Sequence, residues 1–134
     1  MSHIIKGRIL RAFRDREVLL TALSHLGTVL ENEKITVALS GSNYSLSRDR
    51  YDIVLESQEG HKFRLGFRQE NDLFIPYYDE WGRLGAWVKS TMQQVDDRYL
   101  AHHYEKQLNA EGFKATVRKM VNGALQVEAE ELAW

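Results

Sequence analysis

The chain has 134 residues, the length of one ordinary domain, which is enough to bury a hydrophobic core without disulfides or metals. Its hydrophobic content of 43% and charged content of 28% are typical of a globular protein. The formal net charge of -1 excludes a global electrostatic attraction to nucleic acid or to an anionic membrane. The absence of cysteine excludes disulfides, thiol nucleophiles and thiolate metal sites.

Further limits come from segments that the chain lacks. No apolar run approaches the roughly 18 residues that a membrane span needs. Charged residues come too early at the N-terminus for the apolar segment of a signal peptide. We therefore expect no membrane partner and a location in the cytoplasm or in an organelle stroma. Only one proline, Pro76, occurs, and no linker or internal repeat is visible, so residues 1–134 are predicted to form one domain.

The first two predicted elements are a strand and a helix. Residues 3–13 mix apolar and basic residues with partial alternation, which favours a strand. Asp15 is a favourable N-cap for a helix over residues 15–26, and Gly27 is expected to end that helix in the left-handed conformation. The apolar residues that recur there at helical spacing are Val18, Leu19, Ala22, Leu23 and Leu26.

Four strands are predicted next, over residues 35–39, 51–56, 62–68 and 73–78. The third alternates most regularly, so its register is firmly set by the need to keep charges out of the core. Pro76 predicts that the fourth strand lies at an edge of the sheet, or that Pro76 lies at the end of the strand. The third strand places Phe63, Leu65 and Phe67 on one face and Lys62, Arg64 and Arg68 on the other.

A long helical region and a hairpin complete the chain. Apolar residues keep helical spacing from about residue 81 to 111, and Asp96 and Asp97 leave open whether this is one helix or two with a bend. Asn122 and Gly123 favour a two-residue turn in a C-terminal β-hairpin. Consecutive strands that do not alternate with helices predict an α+β domain. Its antiparallel sheet would be covered by one short N-terminal helix and one long helix.

This order of elements carries a resemblance to a known family. The residues that support it are Met1, Ser2, His3, Leu26, Gly27, Tyr51, Asp52, Ile53, Trp81, Arg98, Tyr99, Glu111, Gly112, Phe113 and Gly123. Together they resemble the hypothetical chloroplast reading frame thirty-five family, a domain of unknown function from plastids, cyanobacteria and other bacteria. The resemblance covers nearly the whole chain and implies no reaction, cofactor or catalytic residue. It implies a soluble protein of the cytoplasm or plastid stroma, with an AAA-type ATPase as a partner.

The residues themselves show no catalytic or metal-binding constellation. His102 and His103 are adjacent, so on a helix their side chains point about 100° apart and cannot bind one metal together. The carboxylates of Asp79 and Glu80 precede the long helix, where such groups are usually caps or solvated charges. No phosphate-binding loop or nucleophile motif is present. We therefore predict a protein that is not an enzyme, without a cofactor or a metal.

Two candidate binding surfaces remain. Tyr77, Tyr78, Asp79 and Trp81 cluster where an edge strand meets the long helix, and such aromatics can stack on a partner. The simpler interpretation of this cluster, which we favour, is that Trp81 packs between helix and sheet with one tyrosine beside it.

The second candidate is a basic sheet face. Lys6, Arg8, Arg64 and Arg68 would form it if the first strand neighbours the strand over residues 62–68, and it would attract nucleic acid. However, the phenylalanines of that strand lie on the opposite face, so a solvated polar face is the favoured interpretation.

We therefore predict a non-enzymatic adaptor or regulatory subunit that binds a protein partner. The first alternative is a nucleic-acid-binding module that uses the basic face. The second is a small-molecule sensor that holds its ligand between the sheet and the long helix.

Overall fold

The computed structural model describes residues 4–7, 12–40 and 43–131. It confirms an α+β fold in which a five-stranded antiparallel sheet has the order β1-β7-β6-β5-β2. Two smaller sheets accompany it, a ribbon of β3 and β4 and the C-terminal hairpin of β8 and β9. The elements are β1 (Ile4–Lys6), α1 (Arg16–Ser24), β2 (Thr28–Glu33), β3 (Thr36–Ala38), β4 (Tyr44–Leu46), β5 (Tyr51–Glu56), β6 (Arg64–Glu70), β7 (Leu73–Asp79), α2 (Gly82–Ala110), β8 (Phe113–Lys119) and β9 (Leu125–Glu131).

The beginning of α1 agrees with the sequence prediction. The Asp15 side chain accepts a hydrogen bond from the Val18 backbone N–H at 3.1 Å, as an N-cap residue should. Lys106 of α2 lies 2.8 Å from the other Asp15 oxygen and also binds Glu17, so this cap ties the two helices together. The buried face of α1 consists of Val18, Leu19, Ala22 and Leu23.

The end of α1 differs from the prediction. The helix ends at Ser24 with His25 as its C-cap, and Gly27 is not among the residues with positive φ. Gly27 is instead required because a Cβ atom there would overlap the backbone carbonyl of Glu56 in β5. The left-handed ending was therefore wrong, and close packing against the sheet is the reason for the glycine.

The main core lies between the two helices and one face of the sheet. Leu65 and Phe67 of β6 are fully buried, and Phe63 just before β6 is 8% exposed, so the predicted register is confirmed. Opposite them lie Val95 and Tyr99 of α2. The Tyr99 hydroxyl accepts hydrogen bonds from the backbone N–H groups of residues 14 and 15, which holds the start of α1 against α2.

Pro76 does not mark an edge or a strand end. It pairs with Phe67 in the middle of β7, and β7 lies between β1 and β6. Among the described residues, the register with β1 covers residues 77–79, and the Pro76 carbonyl accepts from the Gly7 N–H at 2.6 Å. Because the N–H and C=O of a residue in an antiparallel strand face the same neighbour, the N–H that Pro76 lacks is on the β1 side, so the pairing with β6 loses no hydrogen bond.

The ribbon of β3 and β4 closes one end of the molecule. Ala38 of β3 is buried with Phe63 and with Leu84 and Val88 from the first part of α2. On the other face of the sheet, Ile35 is fully buried beside Tyr51 and Val54. The ribbon therefore contacts both the sheet and the long helix.

The α2 helix and the hairpin settle two further points. The helix is continuous over 29 residues, so of the two arrangements left open at Asp96 and Asp97 the single helix is the one present. In the hairpin, Met120 N–H bonds to the Ala124 carbonyl at 2.8 Å and only Gly123 has positive φ, at 89°. The two-residue turn was wrong, because these contacts describe a turn followed by a left-handed glycine, which is the next most common hairpin connection.

Candidate functional site

Asp79 organises the junction between β7 and α2. Its side chain is only 2% exposed and accepts two backbone hydrogen bonds. One comes from Ala38 N–H of β3 at 2.8 Å and the other from Trp81 N–H at 3.1 Å. Asp79 is therefore too deeply buried to contact a partner, and its carboxylate instead fixes β3 and the first residues of α2 against the end of β7.

Tyr77 and Tyr78 do not form one aromatic surface, because successive residues of a strand point to opposite faces of the sheet. Tyr77 lies on the face away from the helices, where its hydroxyl donates to Glu70 and its ring centroid is 5.4 Å from that of Tyr51. Tyr78 lies on the helix side and packs against the core. Of the two tyrosines, only Tyr78 therefore shares a face of the sheet with α2.

Trp81 is the exposed aromatic of the junction. It is 61% exposed at the N-cap position of α2, and its side chain provides no cap hydrogen bond. The interpretation that Trp81 packs between helix and sheet was therefore wrong. An exposed indole offers a large, rigid surface with a hydrogen-bond donor, which a partner can cover.

A groove of about 800 Å³ begins beside Trp81 and runs between β7 and α2. Its walls include Tyr78 and Glu80 at the sheet end and Val88 and Met92 along the helix. Trp81 does not line the groove itself, although its chain neighbours Glu80 and Gly82 do. Sequence reasoning anticipated a ligand space between the sheet and the long helix but named none of the helix residues that line it.

Charged groups lie at both ends of the groove. Glu80 is at the end next to Trp81, Asp96 and Asp97 are at the far end, and Lys89 lies between them. Carboxylates therefore outnumber ammonium groups along the lining. Because Glu80, Lys89 and Asp97 are exposed, their attraction to a partner weakens as salt rises.

The predicted basic face required β1 to neighbour the strand that carries Arg64 and Arg68, which is wrong because β7 lies between β1 and β6, and its cations are also paired with carboxylates. Lys6 lies 2.8 Å from Glu70, and Arg64 lies 2.8 Å from Glu56. The hydrogen bond from Lys6, followed by that from Tyr77, lowers the pKa of Glu70. Arg8 lies outside the described residues. Paired in this way, these cations offer little free positive charge to a phosphate backbone.

Arg68 is held differently, between two aromatic rings. Its guanidinium carbon lies 4.5 Å from the Tyr51 ring centroid and 5.1 Å from that of Tyr77. This arrangement is a cation–π stack on the outer face of the sheet. Both rings are therefore already occupied by the arginine, which leaves them less available to stack on a nucleotide base.

The two predicted histidines of α2 lie on different sides of the helix. His102 is 5% exposed, its Nδ1 lies 3.2 Å from Glu105, and its ring stacks on that of His25 at 4.9 Å. His103 is exposed.

A small cleft of about 220 Å³ beside His102 contains the Lys106–Glu17 ion pair. Among residues 4–7, 12–40 and 43–131, no group of three or more histidine or acidic side chains is arranged to hold a metal ion.

No family model, curated protein or solved structure matches this chain. The resemblance to the chloroplast reading frame thirty-five family therefore stays a prediction from the sequence. Within the part of the chain that the structure describes, neither helix has the length and apolar character needed to cross a membrane.

Proposed function

We propose that this protein is a non-enzymatic adaptor or regulatory subunit that binds a protein partner at the groove between β7 and α2. The observation that carries the proposal is Trp81, which is 61% exposed and lies in the chain between two residues that line the groove. Tryptophan is one of the residues that contribute most to protein–protein binding when a partner covers it. The family resemblance makes an AAA-type ATPase the first partner to test.

Three features of the junction support this use of Trp81. The Asp79 carboxylate accepts from the Trp81 backbone N–H and so holds the backbone from which the indole extends. Leu39, which follows the Ala38 residue held by the same carboxylate, is 48% exposed. The groove then continues the apolar surface along α2. A backbone that is already ordered at the exposed aromatic reduces the entropy that binding costs.

The test is site-specific photo-crosslinking in the source cell. A photoreactive amino acid replaces Trp81 in one strain and Tyr104 in a control strain. Tyr104 is 50% exposed on the distal part of α2, away from the groove. We expect one cross-linked protein at position 81 that is absent at position 104 and is lost when Met92→Glu adds a charge to the groove. No cross-linked protein at position 81, or the same set of proteins at both positions, would overturn the proposal.

A second candidate, small-molecule binding, is favoured by the size of the groove. Its volume of about 800 Å³ lies within the usual range for ligand pockets. We would screen metabolites against the purified protein by thermal shift, with Met92→Glu as the control. A metabolite that raises the melting temperature of the wild-type protein but not of the variant would support a sensor and would argue against the adaptor.

A further inference from the structure

A second cleft lies where the end of α1, the middle of α2 and the C-terminal hairpin meet, and we call it the hairpin cleft. The ionisable groups of its lining are His25, Asp97, Arg98 and Lys119. Its volume is about 90 Å³, which is room for about three water molecules. That space suits a small ion or one polar group of a larger molecule, whereas whole ligands of drug size need several times more.

Arg98 supplies a guanidinium group without an anion of its own. Its side chain is half-buried, and it takes no part in the ion pairs or hydrogen bonds among the described residues. A charged group that has lost part of its hydration gains from a new acceptor. The planar fork of an arginine is the group best suited to bind the oxygens of a phosphate or a carboxylate in pairs.

Lys119, the last residue of β8, adds a second permanent positive charge. It is exposed, and none of the ion pairs in the described part of the chain includes it. Asp97 is the carboxylate of the lining, and it forms no ion pair with Arg98 or Lys119 either. Two cations and one carboxylate leave the hairpin cleft with a net positive charge, which favours an anion.

His25 is the third group that can bind an anion. Its ring stacks on the buried ring of His102 at 4.9 Å, which orients the imidazole at the cleft. Partial desolvation, then the charge of Arg98, then that of His102 lower the pKa of His25, whereas Glu105 raises it. The C-terminal end of α1 also favours a cation here. An anion bound beside Arg98 would cancel the repulsion and raise the pKa of His25.

We infer that the hairpin cleft binds a phosphate group, either inorganic phosphate or the phosphate of a small phosphomonoester, through Arg98, Lys119 and His25. A phosphate carries up to two negative charges and three acceptor oxygens, which matches two permanent cations and an imidazole that can take up a proton. A carboxylate has one charge and two oxygens, so it would satisfy fewer of these groups. The inference goes beyond the proposed function and does not depend on it.

The first measurement is an NMR titration of the histidine side chains in the full-length protein between about pH 5 and pH 9. Sulfate is the probe, because it keeps two negative charges over this range whereas phosphate titrates within it. Sodium chloride at the same ionic strength is the reference. We expect sulfate to raise the pKa of His25 by about 0.5 to 1 and to leave that of the exposed His61 unchanged. Equal values for His25 in both salts, or an equal rise at His61, would overturn the inference.

Substitutions then identify the groups that hold the anion, with the amide signal of Gly123 at the cleft reporting the dissociation constant. We expect Arg98→Gln and Lys119→Gln each to weaken sulfate binding by about fivefold or more and Asp97→Asn to strengthen it. Arg83→Gln is the matched control, since Arg83 is an exposed arginine roughly 22 Å away along α2. Lys119→Gln removes only an exposed charge and should not disturb folding. No weakening by Lys119→Gln, or equal weakening by Arg83→Gln, would overturn the inference.

Three further probes at about pH 8 distinguish the sources of the anion. Inorganic phosphate and glycerol phosphate both carry nearly two charges at this pH, and acetate represents a carboxylate. Tighter binding of glycerol phosphate would identify a phosphomonoester as the ligand, and equal or tighter binding of inorganic phosphate would identify the free ion. Acetate that binds as tightly as either of them would overturn the assignment to phosphate.

Discussion

At the scale of single residues, the buried carboxylate of Asp79 is a sensitive position. Asp79→Asn keeps the shape of the side chain, but the amide offers one oxygen where the carboxylate accepts from both Ala38 and Trp81. One buried N–H then loses its acceptor. We expect a loss of about 1–3 kcal/mol in the free energy of unfolding, measured by urea denaturation. Asp72→Asn, at an exposed carboxylate, is the control and should stay within about 0.5 kcal/mol of wild type.

His25 gives the molecule a pH dependence above the range in which carboxylates titrate. His25 is exposed, but partial desolvation of its ring, then the charge of Arg98, then that of His102 lower its pKa from 6.5, whereas Glu105 acts in the opposite direction. The unfolded chain therefore binds the proton more tightly than the folded chain does. Stability is retained above about pH 6.5 and falls as the pH decreases through that value towards the lower pKa of the folded state.

The corresponding measurement compares the free energy of unfolding at pH 7.5 and pH 5.5. His25→Gln should lose less stability on acidification than wild type does, because the group that takes up the proton is gone. His61→Gln is a suitable control, since His61 is also exposed but lies in the turn before β6, away from Arg98 and His102. If both variants show the same pH dependence as wild type, His25 does not contribute it.

At the scale of elements, Gly27 and Gly60 illustrate two different needs for glycine. Gly27→Ala places a Cβ atom on the backbone of Glu56, so α1 and β5 must separate. Gly60 has φ of 62° and open space around it, so Gly60→Ala incurs only a conformational penalty of about 1–2 kcal/mol. We expect Gly27→Ala to lower the midpoint of thermal unfolding clearly more than Gly60→Ala. The reverse order would contradict the close approach.

The range of the interactions that determine each element explains which elements the sequence predicts well. The helix α1 and the strand β6 follow from regular apolar spacing and from the Asp15 cap, because these signals arise within a few residues. Pro76, Gly27 and the Asn122–Gly123 turn were misinterpreted for the opposite reason. Proline, glycine and the Asn-Gly pair each occur in several backbone conformations. Which conformation is adopted depends on contacts with a distant strand or on one hydrogen bond.

The candidate site was predictable only in part. Residues 77–81 were singled out because aromatics cluster there, but Trp81 is exposed, against the favoured interpretation that it packs between helix and sheet. The opposite orientations of Tyr77 and Tyr78 follow from strand geometry once β7 is known to extend through Asp79. The groove cannot be predicted from local sequence, because it depends on how α2 crosses the sheet.

At the scale of the whole molecule, we expect substitutions of Trp81 and Trp87 to separate an effect on partner binding from an effect on stability. Trp81→Ala should leave the free energy of unfolding within about 0.5 kcal/mol of wild type, since the indole is 61% exposed. Trp87 is half-buried, and its ring lies 6.0 Å from that of Phe63, so Trp87→Ala should cost several times more. Chemical denaturation of both variants checks this. Equal losses would mean that Trp81 belongs to the folded core.

The continuous helix α2 has a consequence for cooperativity. Over its length of roughly 43 Å it packs first against the main sheet and then against the hairpin. In the described part of the chain, the hairpin shares no hydrogen-bonded ladder with that sheet. The amide protons of β8 and β9 should therefore exchange with solvent through an opening that leaves the sheet intact, and much faster than those of β5 and β6. The distal end of the molecule can thus melt and re-form while the end that carries Trp81 stays folded.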